Sequence, residues 1–199
     1  MRLEKAGYRT VRIGKYHVAP EEVYRFDTYL SGNARNGVQM ANVAKDFITQ
    51  QSDQPFFLYF ATSDPHRGGG NDQTFPGKHK PNLFGNKPDK GAHDGIDEVF
   101  FDPGKVPVPP YLPDTIESRS ELAHYYQSCA RVDQGVGRLI EILKEADLYD
   151  KTMIVFTADH GMAFAGAKTT VFEAGLHVPF VARRAVPWRV AGRRMGRRG

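Results

Sequence analysis

Cysteine is almost missing from this sequence: Cys129 is the single one in 199 residues. One thiol can form neither an internal disulfide nor a metal site built from cysteines alone, and it says little about redox compartment. Its surroundings, Tyr126-Gln127-Ser128-Cys129-Ala130-Arg131, read as helix, so the thiol is expected as a small buried apolar group and not a nucleophile. No run of about 18 apolar residues occurs, and no membrane-spanning helix is expected. The first ten residues lack the apolar core of a signal peptide, so the chain as given is expected to carry no export signal of its own. A Walker loop, a dinucleotide glycine fingerprint, a cysteine-rich zinc pattern, a serine nucleophile elbow and internal repeats are also absent.

Acid is missing from one end. The 17 residues from Arg183 to Gly199 contain seven Arg and no Asp or Glu, and removing those seven charges from the net +4 leaves −3 for residues 1–182. The basic balance therefore belongs to a tail and not to a domain. Such a tail can contact nucleic-acid phosphates. An Arg-rich end alone is a weak motif, and a nucleic-acid partner is not expected. The full chain is 40% hydrophobic and 25% charged, which suits one globular domain with a substantial core.

The patterning is that of alternating helices and strands. Met1–Lys5 reads as a helix end stopped by Gly7, and Thr10–Ile13 as a short strand. Gly37–Gln50 places Val38, Ala41, Ala44, Phe47 and Ile48 on one helical face. The continuous run Phe56–Ala61 suits a strand buried on both faces. Residues 68–113 are rich in Gly, Pro, Asn and Lys without periodicity, which is expected of a loop that encloses a substrate. Ile116–Ala146 is the strongest helix, with Leu122, Tyr125, Tyr126, Cys129, Val132, Val136, Leu139, Ile140 and Leu143 as its apolar stripe. Thr152–Thr157 reads as a second buried strand and Val178–Ala182 as a third. The expected class is α/β, a mostly parallel sheet with helices on both faces. In such sheets sites lie outside the carboxyl ends of the strands.

Polar residues gather at those strand ends. Gly14-Lys15-Tyr16-His17, Asp64-Pro65-His66-Arg67 and Asp159-His160-Gly161 each follow a strand, and Lys168 precedes Glu173-Ala174-Gly175. Lys15 and Lys168 are compact cations suited to a sulfate or phosphate oxygen, although a lone Lys is more often a solvated surface charge. His17 and His66 can move protons, although a lone His is more often structural. Asp159 and His160 can bind a divalent ion, as two ligands of an incomplete shell, or simply cap a turn. Asp64 and Arg67 can contact substrate substituents or form a weak local ion pair. His79, His93, His124 and His177 lack a comparable setting and read as surface or helix residues.

At this point the chain resembles the sulfatases of the alkaline-phosphatase-like superfamily. Ala6-Gly7-Tyr8-Arg9-Thr10 through Ile13-Gly14-Lys15-Tyr16-His17 looks like the second sulfatase signature. Pro55–Tyr59 with Asp64–Arg67, then Asp133–Gly137 with Ile154–Gly161, then Lys168 with Glu173–Pro179, follow in the family's order over about residues 1–182. Residues 14–27, 64–67 and 106–113 most resemble the family branch that acts on N-sulfoglucosamine. The resemblance implies a partial alkaline-phosphatase-like sandwich over residues 1–182, with residues 183–199 as an unrelated tail. It implies hydrolysis of a sulfate ester or sulfamate on a sugar, and a calcium ion held partly by Asp159 and His160. Lys15 and His17 would contact the sulfate or a formylglycine, His66 would lie near the leaving group, and Lys168 would bridge sulfate and leaving atom. Relatives of this type act in the periplasm, the lysosome or outside the cell.

The sequence also departs from the family. The Cys-x-Pro-Ser-Arg motif that yields formylglycine and the paired N-terminal Asp ligands are absent, and Cys129 is followed by Ala-Arg-Val. His160 stands where many sulfatases have Asn. The chain by itself is therefore expected to be inactive. The rival readings are a phosphodiesterase or phosphonate hydrolase of the same superfamily and a remnant that binds sulfated sugars without catalysis.

Overall fold

The computed structural model describes residues 2–67, 84 and 93–185 of the chain. His79, most of the glycine-rich loop and the arginines from Arg189 onward lie outside the described residues.

A short helix α1 (Arg2–Lys5) leads into β1 (Arg9–Gly14), then β2 (Thr28–Leu30), α2 (Gly37–Thr49) and β3 (Phe56–Ala61). The three strands form one parallel sheet in the order β2-β1-β3. In register, Val11 pairs with Thr28 and Leu58, and Ile13 with Leu30 and Phe60. Registered partners share a face, so Val11, Ile13, Leu58 and Phe60 line one side. Asp27 fixes the return into β2: one of its carboxylate oxygens accepts from both the Thr10 amide and the Thr10 hydroxyl at 2.9 Å. Phe57, Tyr59, Phe26 and Tyr16 make an aromatic cluster on the other side.

Helix α2 begins where expected because Asn36 accepts from the Gln39 amide at 2.9 Å, an N-cap bond. The long helix α3 (Ile116–Glu145) begins at Thr115, whose side chain accepts from the Ser118 amide. The two helices touch backbone to backbone at Gly37 and Gly135. A Cβ on Gly135 would sit 2.7 Å from the Gly37 Cα, so neither residue tolerates a side chain without a shift. Ala41, Ala44, Ile48, Ile142 and Leu143 form the core with Phe56, Leu58 and Phe60 of β3 packed against it. Burying each large side chain here contributes about 1.5–3 kcal/mol.

A turn at Tyr149–Lys151 leads to β4 (Ile154–Thr157), and α4 (Glu173–Leu176) precedes β5 (Phe180–Arg183). These two strands pair antiparallel in a separate sheet. The sequence pattern suggested buried strands at both places and at Phe56–Ala61. Instead Val155, Phe156, Phe180 and Val181 are exposed, and β3 is only half-buried. Apolar patterning identifies a face that gains by being covered, but it does not say that a cover is present. Arg183 fastens β5: it donates to the Tyr149 carbonyl at 2.7 Å, pairs with Asp150 at 2.6 Å and lies 3.6 Å from the Tyr149 ring centre.

The described part of the proline-rich stretch, residues 93–113, is irregular but not open. Val106 is buried against Leu122 and Ala123 of α3. His93, read from sequence as a surface or helix residue, is buried at 4% exposure. His124 is half-buried on α3, where burial pushes its pKa down, and exposed His177 pairs with Glu173 at 2.8 Å.

Candidate active site

β1 ends at Gly14, whose φ of +88° is left-handed. A Cβ there would collide with the Ala61 carbonyl and lie 2.6 Å from Met40, so glycine is required. The turn lets the Lys15 amide donate to the Ala61 carbonyl at 2.7 Å, tying the end of β1 to the end of β3. Lys15 then reaches across 144 positions to Asp159, with Nζ 3.3 Å from Oδ2. His17, two residues on, is exposed.

The segment after β3 is held by Arg35 from the loop before α2 and by Arg131 from α3. Asp64 is buried, and each carboxylate oxygen takes its own guanidinium: Oδ1 accepts from Arg35 at 2.6 Å and Oδ2 from Arg131 at 2.8 Å. Arg131 is itself 1% exposed and lies 3.8 Å from Glu98, which accepts from Gln127 at 2.7 Å. Asp64 thus offers no free oxygen to a substrate and forms no ion pair with Arg67, the two roles its sequence position suggested. Arg67 pairs with Glu121 of α3 and lies over the Phe84 and Phe164 rings at 5.1 and 5.6 Å. Burial pulls its pKa down.

Arg35 also donates to the His66 carbonyl at 2.8 Å. The His66 ring bridges two partners. Nδ1 donates to the Arg67 carbonyl, so Nε2 keeps its lone pair and accepts from Lys168 Nζ at 2.7 Å. Burial first, then the Lys168 charge, push His66 below its usual range, and Lys15 and Arg35 add to the effect. His66 is thus neutral near pH 7, with three cations around it. Lys168 comes from a tight loop in which its amide donates to Met162 and the next residue, Thr169, holds φ at +65°. A β-branched residue in that region is strained, and such strain concentrates at functional sites.

Asp159 and His160 follow β4, and the Gly161 amide donates to the Gly175 carbonyl at 2.9 Å, which interlocks this turn with α4. Burial pushes the Asp159 carboxyl up, but the charges of Lys15 and His160 outweigh it and hold it below the usual carboxylate range. His160 Nδ1 donates to the Gly161 carbonyl at 2.8 Å. In the neutral ring that leaves the Nε2 lone pair for a metal, 3.6 Å from Asp159 Oδ1. These are two donors. Among the described residues no group of three His, Cys, Asp or Glu gathers to hold a metal. A calcium ion takes six to eight oxygens, so this set alone is not a calcium shell.

A model of the sulfatase family matches residues 2–189. The chain belongs to the sulfatase family. It is 36% identical to human N-sulphoglucosamine sulphohydrolase over 186 residues, covering 90% of this sulfatase chain and 37% of that protein. It is 30% identical to an ulvan-active sulfatase of Formosa agariphila, covering 91% and 32%. The chain therefore spans about a third of the length of these curated relatives. Among solved structures, the yidJ protein of Bacteroides fragilis aligns at TM-score 0.61 and 21% identity, covering 92% of this chain and 48% of that one. A protein solved with its substrate D-glucosamine-2-N,6-O-disulfate aligns at TM-score 0.56 and 19% identity, covering 92% and 54%. At these identities the structures establish the alkaline-phosphatase-like fold.

The fold of this sulfatase chain thus joins Lys15 to Asp159 and Lys168 to His66. Sequence reading missed Arg35, Arg131 and Glu121. Arg131 had a readable signal: it falls one turn past Gln127 and Ser128, so three polar residues share a buried helical face. Arg35 sits in a loop with no pattern to mark it. Cys129, expected to be buried, is half-buried, and that burial is the main cause that pushes its thiol pKa up to about 11.

Proposed function

We propose that this chain carries the anion-gripping half of a sulfuric ester or sulfamate hydrolase, whose substrate is a sulfated sugar such as N-sulfoglucosamine. The observation that supports it most is the Lys168–His66 contact at 2.7 Å, made between segments 102 residues apart. Lys15 and Lys168 bind the sulfate oxygens, where cations offset the charge that builds on the transferred group. His17 joins Lys15 on that side. Neutral His66 holds Lys168 in place by accepting its hydrogen bond, and the Lys168 ammonium is the proton source for the departing oxygen or nitrogen. Asp64 positions this loop, and Arg67 faces the sugar side of the site.

Asp159 and His160 would be two ligands of a divalent ion, the carboxylate suiting calcium and the imidazole nitrogen suiting a softer metal. When bound, that ion would neutralise sulfate charge. Metal and Lys15 compete for the Asp159 carboxylate. The family's nucleophile is formylglycine. The sequence contains no Cys-x-Pro-Ser-Arg from which to make it, so the 199-residue chain is expected to bind and not to turn over.

The test is a pair of measurements on the purified chain. Saturable binding of N-sulfoglucosamine, followed by NMR titration, is expected and should disappear in Lys15→Ala/Lys168→Ala. Hydrolysis of an aryl sulfate or of N-sulfoglucosamine is expected at background. Turnover above background would overturn the inactivity. Tighter binding of a phosphate monoester than of the sulfated sugar would favour the phosphoryl-transfer branch of the superfamily.

A further inference from the structure

We infer that Arg35 is a positioning residue that sets His66 against Lys168 by clasping both ends of the Asp64-Pro65-His66 tripeptide with one guanidinium nitrogen. The inference rests on the reading of His66 as a site residue, and it concerns how that side chain is held.

The geometry is specific. Arg35 Nη1 donates to Asp64 Oδ1 at 2.6 Å and to the His66 carbonyl at 2.8 Å. The tripeptide is therefore pinned at its first side chain and its last backbone oxygen. Neighbouring contacts brace both the pin and the carboxylate it holds. Arg35 immediately precedes Asn36, the N-cap of α2. The Arg35 amide donates to the Asn33 side chain at 3.0 Å, and the Ser63 amide donates to the Ala34 carbonyl at 2.7 Å. Asp64 is held from the opposite side by Arg131 of α3, at 2.8 Å in a site closed to solvent. Because α2 and α3 touch at Gly37 and Gly135, the two arginines keep a fixed separation, and Asp64 is suspended between them.

Besides Arg35, the His66 backbone has one further anchor, its amide donating to the Ser63 carbonyl at 2.8 Å, while its ring has no rigid partner. Its ring bonds are to the neighbouring Arg67 carbonyl and to the flexible end of Lys168. Holding the His66 carbonyl thus restricts where the ring can meet Lys168. Arg35 also carries charge toward His66, as do Lys168 and Lys15, so an electrostatic role has to be separated from a positional one.

NMR on the full chain without ligand separates them. The readout is the nuclear Overhauser contact between the His66 ring and the Lys168 side chain, with the His66 titration recorded beside it. In Arg35→Met the contact should vanish. In Arg35→Lys, where one nitrogen can again donate to both acceptors, it should return. Persistence of the contact in a folded Arg35→Met, with only the titration moved upward, would mean that Arg35 acts by charge alone and would overturn the inference. Should Arg35→Met not fold, the wild-type chain still decides: a through-hydrogen-bond coupling from the Arg35 guanidinium to the His66 carbonyl carbon is expected, and its absence overturns the clasp. Neither measurement involves a substrate, so a failed sugar titration leaves this result standing.

Discussion

The β1–β3 sheet and the β4–β5 ribbon are both written in apolar residues, yet they are built differently. In the first, Val11 and Ile13 are at most 1% exposed beneath α2 and α3, and the loop after β3 is locked by buried ions. In the second, Phe180 is 71% exposed and Val181 62%, and the strands pair with each other alone among the described residues. Both deliver site residues: His66 from the first, Asp159 and His160 from the second. The half that holds His66 is fixed by packing, while its partner Lys168 comes from the loop between β4 and α4. The half that holds the candidate metal ligands hangs on Gly161–Gly175, Lys15–Asp159 and the Arg183 anchor.

That contrast can be broken or sharpened by measurement. The largest effect is expected from Arg131→Met, which strands the buried Asp64 carboxylate. Removing one partner of a buried pair costs about 3–5 kcal/mol, and urea unfolding should show it. If Arg131→Met unfolds at the wild-type urea concentration, the first region owes little to its buried ions. Ile142→Ala removes a fully buried side chain from the core between α2 and α3. It should cost about 2–5 kcal/mol, again by urea midpoint.

The third effect is pH-dependent. His66 is held below its ordinary value by burial and neighbouring cations. The unfolded chain therefore binds the proton more readily, and stability falls as pH drops below about 6.5, the ordinary His value. His66→Gln should remove that part of the slope between about pH 7 and pH 5, and an unchanged slope would show that His66 is not desolvated. The smallest effect belongs to the ribbon. Phe180→Ala should shift stability by no more than about 0.5 kcal/mol, because the side chain is mostly in water. A loss as large as that of Ile142→Ala would mean that the ribbon is covered in solution and would erase the contrast.

Much of this was legible in the chain. The two long helices follow from apolar spacing and from caps that the sequence spells out, Asn36 and Thr115. The strand ends followed from polar residues placed directly after apolar runs, and these brought Lys15, His66 and Asp159 forward, with Lys168 added by its place before Glu173-Ala174-Gly175. Which of them touch was not legible, because pairings over more than 100 positions depend on the crossing of α2 over α3. The ion partners of Asp64 were not legible for the same reason. Its partners, Arg35 and Arg131, stand 29 residues before it and 67 after it, and local sequence offered only Arg67. The burial of β4 and β5 was overestimated, since residue type reports preference for a covered site and not its availability.

The Arg183 anchor has a practical consequence for where the chain can be cut. Charge alone groups Arg183 with the basic end, but its guanidinium is spent on Tyr149 and Asp150, and its backbone is the rung opposite Ile154. A truncation starting at Arg183 would remove a structural fastener along with the positive charge, and lost DNA binding could not then be told from a loosened ribbon. Cutting after Ala185 leaves the fastener in place and separates the two questions.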